Sequence, residues 1–230
     1  MSALFLISDL SGGGAERVLQ IVANELVCQG VKVQVLPISP SAIVYPFDER
    51  VEILPPLQKW RARDFLIPLY CILFYLRCRR AKPHSVMTVL IRANLVGLLA
   101  QSIFGVKVCI SEHSDTRELL ERLGSRRQIA NTIIRALYPR AEKVLAVSQG
   151  VKRALTELGV DPDRVTVVHN PVPTEPEVMA EERPLRLVTM GRLAPEKNQA
   201  LLLRACGPLL EIYDAVLEFI GDGPLLKDLQ

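Results

Sequence analysis

The chain has 230 residues, of which 49% are hydrophobic and 23% charged, and its net charge is +3. That balance excludes a disordered polypeptide and supports a sizeable core; at roughly 150 residues per domain, it allows one to two domains. The five cysteines, Cys28, Cys71, Cys78, Cys109 and Cys206, are odd in number, scattered and mostly set in apolar runs. They read as reduced core thiols of a cytosolic protein. No C-x-x-C, H-E-x-x-H or close cluster of ligands occurs, so no protein-bound metal is expected. No basic leader precedes the first apolar run, so no signal peptide is expected either.

Ala3 to Ser8 is a continuous apolar run of the kind a parallel strand needs when both its faces are covered. A helix follows, because Ala15, Val18, Leu19, Val22 and Leu26 recur at helical spacing and Gly30 supplies a stop. Between them lies Ser11-Gly12-Gly13-Gly14-Ala15-Glu16-Arg17. These residues form a turn at a strand's carboxyl end that lets a ligand approach the main chain. It is not a dinucleotide fingerprint. A G-x-G-x-x-G frame begun at Gly12 places Arg17 where the third glycine belongs, and the second strand, Val31 to Ile38, ends without a ribose-binding carboxylate. No Lys-Ser or Lys-Thr pair follows for a P-loop. The alternative is a glycine-rich turn required by geometry alone.

Further strands are expected at Val51 to Leu54, Ser85 to Leu90, Val106 to Ile110, Lys143 to Val147 and Val165 to Val168, with helices at Asn94 to Ile103, Arg126 to Leu137 and Gly150 to Leu158. This alternation predicts an α/β fold, a Rossmann-like doubly wound parallel sheet that binds ligands at the carboxyl ends of its strands. Leu57 to Lys82 stands out. It carries Lys59, Arg61, Arg63, Arg77, Arg79, Arg80 and Lys82 against Asp64 alone, around an apolar stretch from Phe65 to Leu76. That stretch is too short to span a bilayer, but with Trp60, Tyr75 and basic flanks it suits an interfacial helix on an anionic membrane. A core helix with solvated ends is the alternative. Nucleic acid is not an expected partner, because the cations flank an apolar stretch and not a polar one with interleaved aromatics.

Ile110-Ser111-Glu112-His113-Ser114-Asp115 falls just beyond a strand, on the same rim as the glycine turn. A histidine between carboxylates donates from both nitrogens when protonated, or orients a hydroxyl when neutral. His84 and His169 read as residues at strand ends. Asn170-Pro171-Val172-Pro173-Thr174-Glu175-Pro176 breaks the apolar pattern, so a linker is expected over 173–184 between a first domain, 1–172, and a second unit, 185–230. The second unit opens with a strand, Leu185 to Met190, then Gly191-Arg192-Leu193-Ala194-Pro195-Glu196-Lys197-Asn198 and a helix through Leu201 to Leu210 with Pro195 in its first turn. Arg192 and Lys197 are expected to face one crevice. A lysine in the first turn opposes the helix dipole, which points to an anion such as a phosphate ester in front of it. The alternative is an Arg192–Glu196 ion pair.

Taken together, S-G-G-G-A-E-R-V, S-E-H-S-D, A-V-S-Q-G-V-K, V-V-H-N-P-V and G-R-L-A-P-E-K-N resemble, in order and over nearly the whole chain, the retaining GT-B glycosyltransferases of family 4. The resemblance implies two facing Rossmann-like domains with a nucleoside-diphosphate sugar in the cleft. It further implies transfer to a glycan or lipid-linked acceptor with retained configuration, usually without a metal. On that pattern Arg192 and Lys197 grip the donor diphosphate, Gly12, Gly13 and Gly14 form the turn nearest phosphate and acceptor, and His113 lies near the transferred sugar. The resemblance further implies the family's front-face mechanism, in which the departing phosphate helps deprotonate the acceptor, so Glu112 and Asp115 are not first choices as catalysts, unlike the paired acids of glycoside hydrolysis.

The family's pattern continues well beyond Phe219-Ile220-Gly221-Asp222-Gly223-Pro224, whereas this chain stops at Gln230. The expectation is a complete first domain, an incomplete second one and impaired transfer. A non-catalytic membrane-associated scaffold, or a partner subunit of a glycosyltransferase, is the alternative. The expected location is cytoplasmic, with peripheral attachment to the cytoplasmic face of a membrane.

Overall fold

The computed structural model describes residues 1–58, 66–114, 127–172, 186–213 and 215–229. The expected linker at 173–184, together with Leu185, Asp115, Arg126, and the leading part of the basic segment (Lys59, Trp60, Arg61, Arg63, Asp64 and Phe65), lies outside the described residues. The chain divides into two compact units, Met1–Val172 and Pro173–Gln230.

Unit 1 is a parallel sheet of seven strands: β1 (Ser2–Ile7), β2 (Lys32–Pro37), β3 (Glu52–Ile53), β4 (Ser85–Val89), β5 (Cys109–Glu112), β6 (Lys143–Ala146) and β7 (Val165–Val167). Its order is β3-β2-β1-β4-β5-β6-β7, with every neighbouring pair parallel. The order reverses between β1 and β4, which makes the space beyond their carboxyl ends the topological switch point of a doubly wound sheet. Among the described residues the helices of this unit are α1 (Gly14–Cys28), α2 (Ile67–Ala81), α3 (Ile91–Phe104), α4 (Arg127–Leu137) and α5 (Gln149–Glu157).

Both faces of β1 are buried, as its apolar run requires. Leu4 and Leu6 join a cluster with Tyr70 and Phe74 of α2, Val96 of α3, Ile134 of α4 and Leu155 of α5. Ala3, Phe5 and Ile7, on the opposite face, pack with Ala15, Leu19 and Ala23 of α1. Each fully buried leucine contributes about 1.5–3 kcal/mol relative to exposure. Strand β5 starts at Cys109 and not at the expected Val106, because its ladder with β4 begins only at the Met87–Cys109 pair. The cysteines are not all core residues. Cys71 and Cys78 are buried, with their thiols pushed by burial up to about 11 and about 12, whereas Cys28 is exposed.

Unit 2 contains the parallel pair β8 (Arg186–Met190) and β9 (Val216–Ile220), with α6 (Gln199–Ile212) between them. Here the expected helix start is corrected. Pro195–Lys197 form a separate 3-10 turn, and Asn198 takes the left-handed conformation with φ 51°, so α6 begins only at Gln199. Lys197 therefore precedes the helix and does not sit in its first turn. The dipole argument for an anion does not carry over to it unchanged.

Candidate active site

Three segments meet along the carboxyl rim of unit 1: the glycine turn after β1, the start of α3 after β4, and His113 after β5. The glycines differ in what they do. Gly12 has φ +102°, a conformation that favours glycine, and a Cβ there would lie 3.0 Å from the exposed side chain of Val44, which would have to give way. A Cβ on Gly13 would collide with the carboxylate of Glu16. Glu16 sits at the third position of α1 and is buried; its carboxylate accepts from the backbone amides of Gly13 and of Glu16 itself, as in one half of a capping box. Burial, reinforced by Asp9, pushes its pKa up. Of the three, only Gly14 has open space where a Cβ would stand.

His113 lines an apolar cavity of about 110 Å³ with Val18 and Leu19 of α1, Leu145 and Val168, which brings it close to the first turns of the helix that the glycines open. Its Nε2 lies 3.0 Å from Ser111 Oγ, while Nδ1 is buried without a partner among the described residues. Desolvation lowers its pKa, so the neutral imidazole is favoured. Of the two carboxylates expected to flank His113, Asp115 lies outside the described residues, and the expectation for Glu112 is corrected. Glu112 is fully buried and turned toward other partners, accepting from Tyr138 Oη at 2.7 Å and Asn94 Nδ2 at 3.2 Å. Asn94 also donates to the Ser111 carbonyl at 3.1 Å and accepts from Thr88 Oγ1 at 2.7 Å. A buried carboxylate this well satisfied positions the rim and is not free for proton transfer.

Two further rim features have no counterpart in the sequence reading. Leu90, between β4 and α3, has φ 72° and ψ 151°, a glycine-like conformation that costs of order 1–3 kcal/mol. Arg92, in the first turn of α3, donates to Ser39 Oγ at 2.9 Å and lies 5.5 Å over the Tyr70 ring. A cation two residues past a predicted strand end was the available signal for it.

In unit 2, Arg192 and Lys197 are exposed on the segment leaving β8, and neither side chain makes an ion pair among the described residues. The side chain of Glu196 lies outside them. This segment is joined to the one leaving β9 by main-chain bonds, Gly191 N to Ile220 O at 2.9 Å, Leu193 N to Asp222 O at 2.9 Å and Leu225 N to Leu193 O at 3.1 Å. A Cβ on Gly221 or Gly223 would collide with the backbone of Gly191 or Leu193. The G-D-G-P run after β9 is therefore part of the same structure, a role its glycine spacing alone did not reveal. Gln199 Nε2 donates to the Arg192 carbonyl at 2.9 Å, fixing the main chain while leaving the guanidinium outside. Among the described residues no group of three or more His, Cys, Asp or Glu is placed to hold a metal ion.

A seven-stranded parallel sheet with a glycine turn and a histidine at its switch-point rim is that of a GT-B Rossmann-like domain, and the second unit carries exposed cations on a strand exit. Residues 12–176 match the model of Glycosyltransferase Family 4, and the chain belongs to that family. It is 27% identical over 97% of its length to the N-acetylgalactosamine-N,N'-diacetylbacillosaminyl-diphospho-undecaprenol 4-alpha-N-acetylgalactosaminyltransferase of Campylobacter jejuni subsp. jejuni serotype O:2, spanning 63% of that protein. It is 25% identical over its full length to an alpha-1,4-N-acetyl-D-galactosaminyltransferase of the same organism that acts on GalNAc-alpha-(1->4)-GalNAc-alpha-(1->3)-diNAcBac-PP-undecaprenol, spanning 64% of it. Among solved structures, the fold matches Anabaena Alr3699/HepE in complex with UDP and glucose, with a TM-score of 0.70 at 20% identity, covering 99% of this chain and 63% of the other. It also matches the apo form of the lipopolysaccharide outer core galactosyltransferase WaaB, with a TM-score of 0.70 at 19% identity, covering 100% and 63%.

Proposed function

We propose that this chain belongs to an enzyme that transfers a sugar from a nucleoside-diphosphate sugar to a lipid-linked glycan acceptor, with retention and without a protein-bound metal. The observation that carries the reading is the pair of exposed cations, Arg192 and Lys197, on a strand-exit segment whose main chain is fixed by Gln199 and by the β9 exit. Departure of a diphosphate builds negative charge on the leaving oxygen, and cations held in place for it lower the barrier. The relatives named above act on undecaprenol-linked acceptors, and the matched Anabaena protein binds UDP, which supports both the donor and the acceptor class.

On the acceptor side, the glycine turn and His113 share the switch-point rim. A neutral His113 orients an acceptor or donor hydroxyl, while the departing phosphate takes the acceptor proton. Unit 1 is the acceptor domain in this reading and unit 2 carries the donor diphosphate. An anionic membrane surface is the further partner, met by α2. No helix among the described residues is long and apolar enough to cross a membrane, so this attachment would be peripheral.

The test is binding of UDP and UDP-sugars, followed by transfer to an undecaprenyl-diphosphate-linked acceptor. Arg192→Ala or Lys197→Ala is expected to lower turnover by about 10² or more while weakening binding of the bare nucleoside less. Retention is read from the anomeric configuration of the product by NMR. A chain that binds no nucleotide sugar in the wild type is a scaffold or partner subunit instead.

A further inference from the structure

We propose that the cleft between the carboxyl ends of α2 and α3 binds the phosphate head group of an anionic phospholipid, and that it is the charged end of the face by which unit 1 lies on a membrane. The cleft has a volume of about 370 Å³ and lies at the edge of the sheet opposite the strand carboxyl ends, so it is separate from the rim described above. Its donors, the cations Arg79, Lys82 and Lys107 and the ring of His84, come from different segments. Arg79 belongs to α2, Lys82 caps it in the left-handed conformation, His84 precedes β4 and Lys107 precedes β5. Among the described residues no Asp or Glu lines it. Bringing like charges together from separate segments is unfavourable unless an anion joins them.

The walls fix these donors. Tyr75 and Phe104 stack at 4.2 Å with an interplanar angle of 10°, and the Arg79 guanidinium lies 5.9 Å over the Tyr75 ring. The Ser2 amide donates to His84 Nδ1 at 3.2 Å, so that nitrogen is an acceptor and the proton of a neutral ring resides on Nε2.

The apolar surface beside the cleft points to a lipid as the source of the phosphate. On α2, Leu69, Ile72 and Leu76 recur at helical spacing and are 46%, 46% and 51% exposed; on α3, Ile103 is 60% exposed. An apolar stripe ending in cations has the pattern of a helix lying in the plane of an interface, its side chains in the acyl boundary and its charges at the head groups. A soluble phosphate would leave that stripe without a role. Cations at helix carboxyl ends also offset the helix dipole, but that role requires no lipid.

This site rests on the membrane part of the proposed function and not on the transfer chemistry. Sedimentation of the full chain with vesicles needs neither donor nor acceptor, so its failure leaves the transfer reading standing. The chain is expected to pellet with phosphatidylglycerol-containing vesicles and poorly with phosphatidylcholine alone. Lys82→Gln with Lys107→Gln is expected to weaken anionic-vesicle affinity about 25-fold, or about fivefold (~1 kcal/mol) per charge. The control pair Lys143→Gln with Arg153→Gln, exposed cations on β6 and α5, is expected to change it less than twofold. Equal losses in both pairs would mean general charge attraction and overturn the site, as would no loss in the first pair. Binding of inorganic phosphate at Lys107, seen by NMR, without vesicle binding would overturn the lipid assignment.

Discussion

Tyr138 donates a 2.7 Å hydrogen bond to Glu112 across 26 residues of chain, tying the turn after α4 to the end of the strand that presents His113. Tyr138→Phe keeps the packing and removes one of the few donors to a fully buried carboxylate. The expected loss is about 1–3 kcal/mol of unfolding free energy. Chemical denaturation measures it, and an unchanged midpoint would mean that the bond contributes nothing net.

The same carboxylate makes stability depend on pH. Burial pushes Glu112 up, with the bonds from Tyr138 and Asn94 opposing it. An acid whose folded pKa is raised binds more protons folded than unfolded, so its contribution is fully present below the ordinary carboxylate range and is lost as pH rises through the folded value. Relative to Glu112→Gln, the wild type is therefore expected to lose stability as pH increases from about 4.5. Urea titrations at several pH values read this as a difference in slope, which the constant cost of the substitution does not affect.

The three glycines separate geometry from ligand binding. Gly12→Ala meets both a positive φ and Val44 and is expected to cost about 1–3 kcal/mol. Gly14→Ala, at the start of α1 with open space around it, is expected to be neutral or to stabilise by up to about 1 kcal/mol. If Gly14→Ala nevertheless loses acceptor turnover through a raised KM, the space in front of Gly14 is used by a ligand; unchanged kinetics would restrict the turn to a structural role.

His113 is expected to titrate below the ordinary histidine value near 6.5, because burial disfavours its charged form. Its stability contribution is present above the unfolded pKa and lost as pH falls through the folded one. The ring C2 proton, assigned by its disappearance in His113→Ala, gives the midpoint directly. A midpoint at or above 6.5 would contradict the desolvated environment.

The strands were legible because each is a short apolar run whose two faces meet different helices, as Leu4 and Phe5 do in the two clusters. His113 and the glycine turn were legible as rim residues for the same reason, since a parallel sheet places every strand exit on one edge. The partners of Glu112 were not. Asn94 and Tyr138 stand 18 and 26 residues from it, and nothing in local spacing marks which polar residues meet across a sheet. The break at Asn198 is not legible because Pro195 is equally suited to a 3-10 turn and to the first turn of an α-helix. The exposed stripe on α2 was visible as apolar content, but only its register against α3 decided which side remained in water.

The main-chain bonds joining the β8 and β9 exits make those two segments one mechanical body. Arg192 and Asp222 belong to different strand exits, yet Leu193 N holds the Asp222 carbonyl at 2.9 Å and a Cβ on Gly221 would fall on the Gly191 carbonyl. A ligand that orders the arginine segment is therefore expected to order the aspartate segment as well, so that contacts made to the second cost less conformational entropy. On the proposed donor reading, contacts distributed over the two exits would be coupled through these bonds without any visible change of shape.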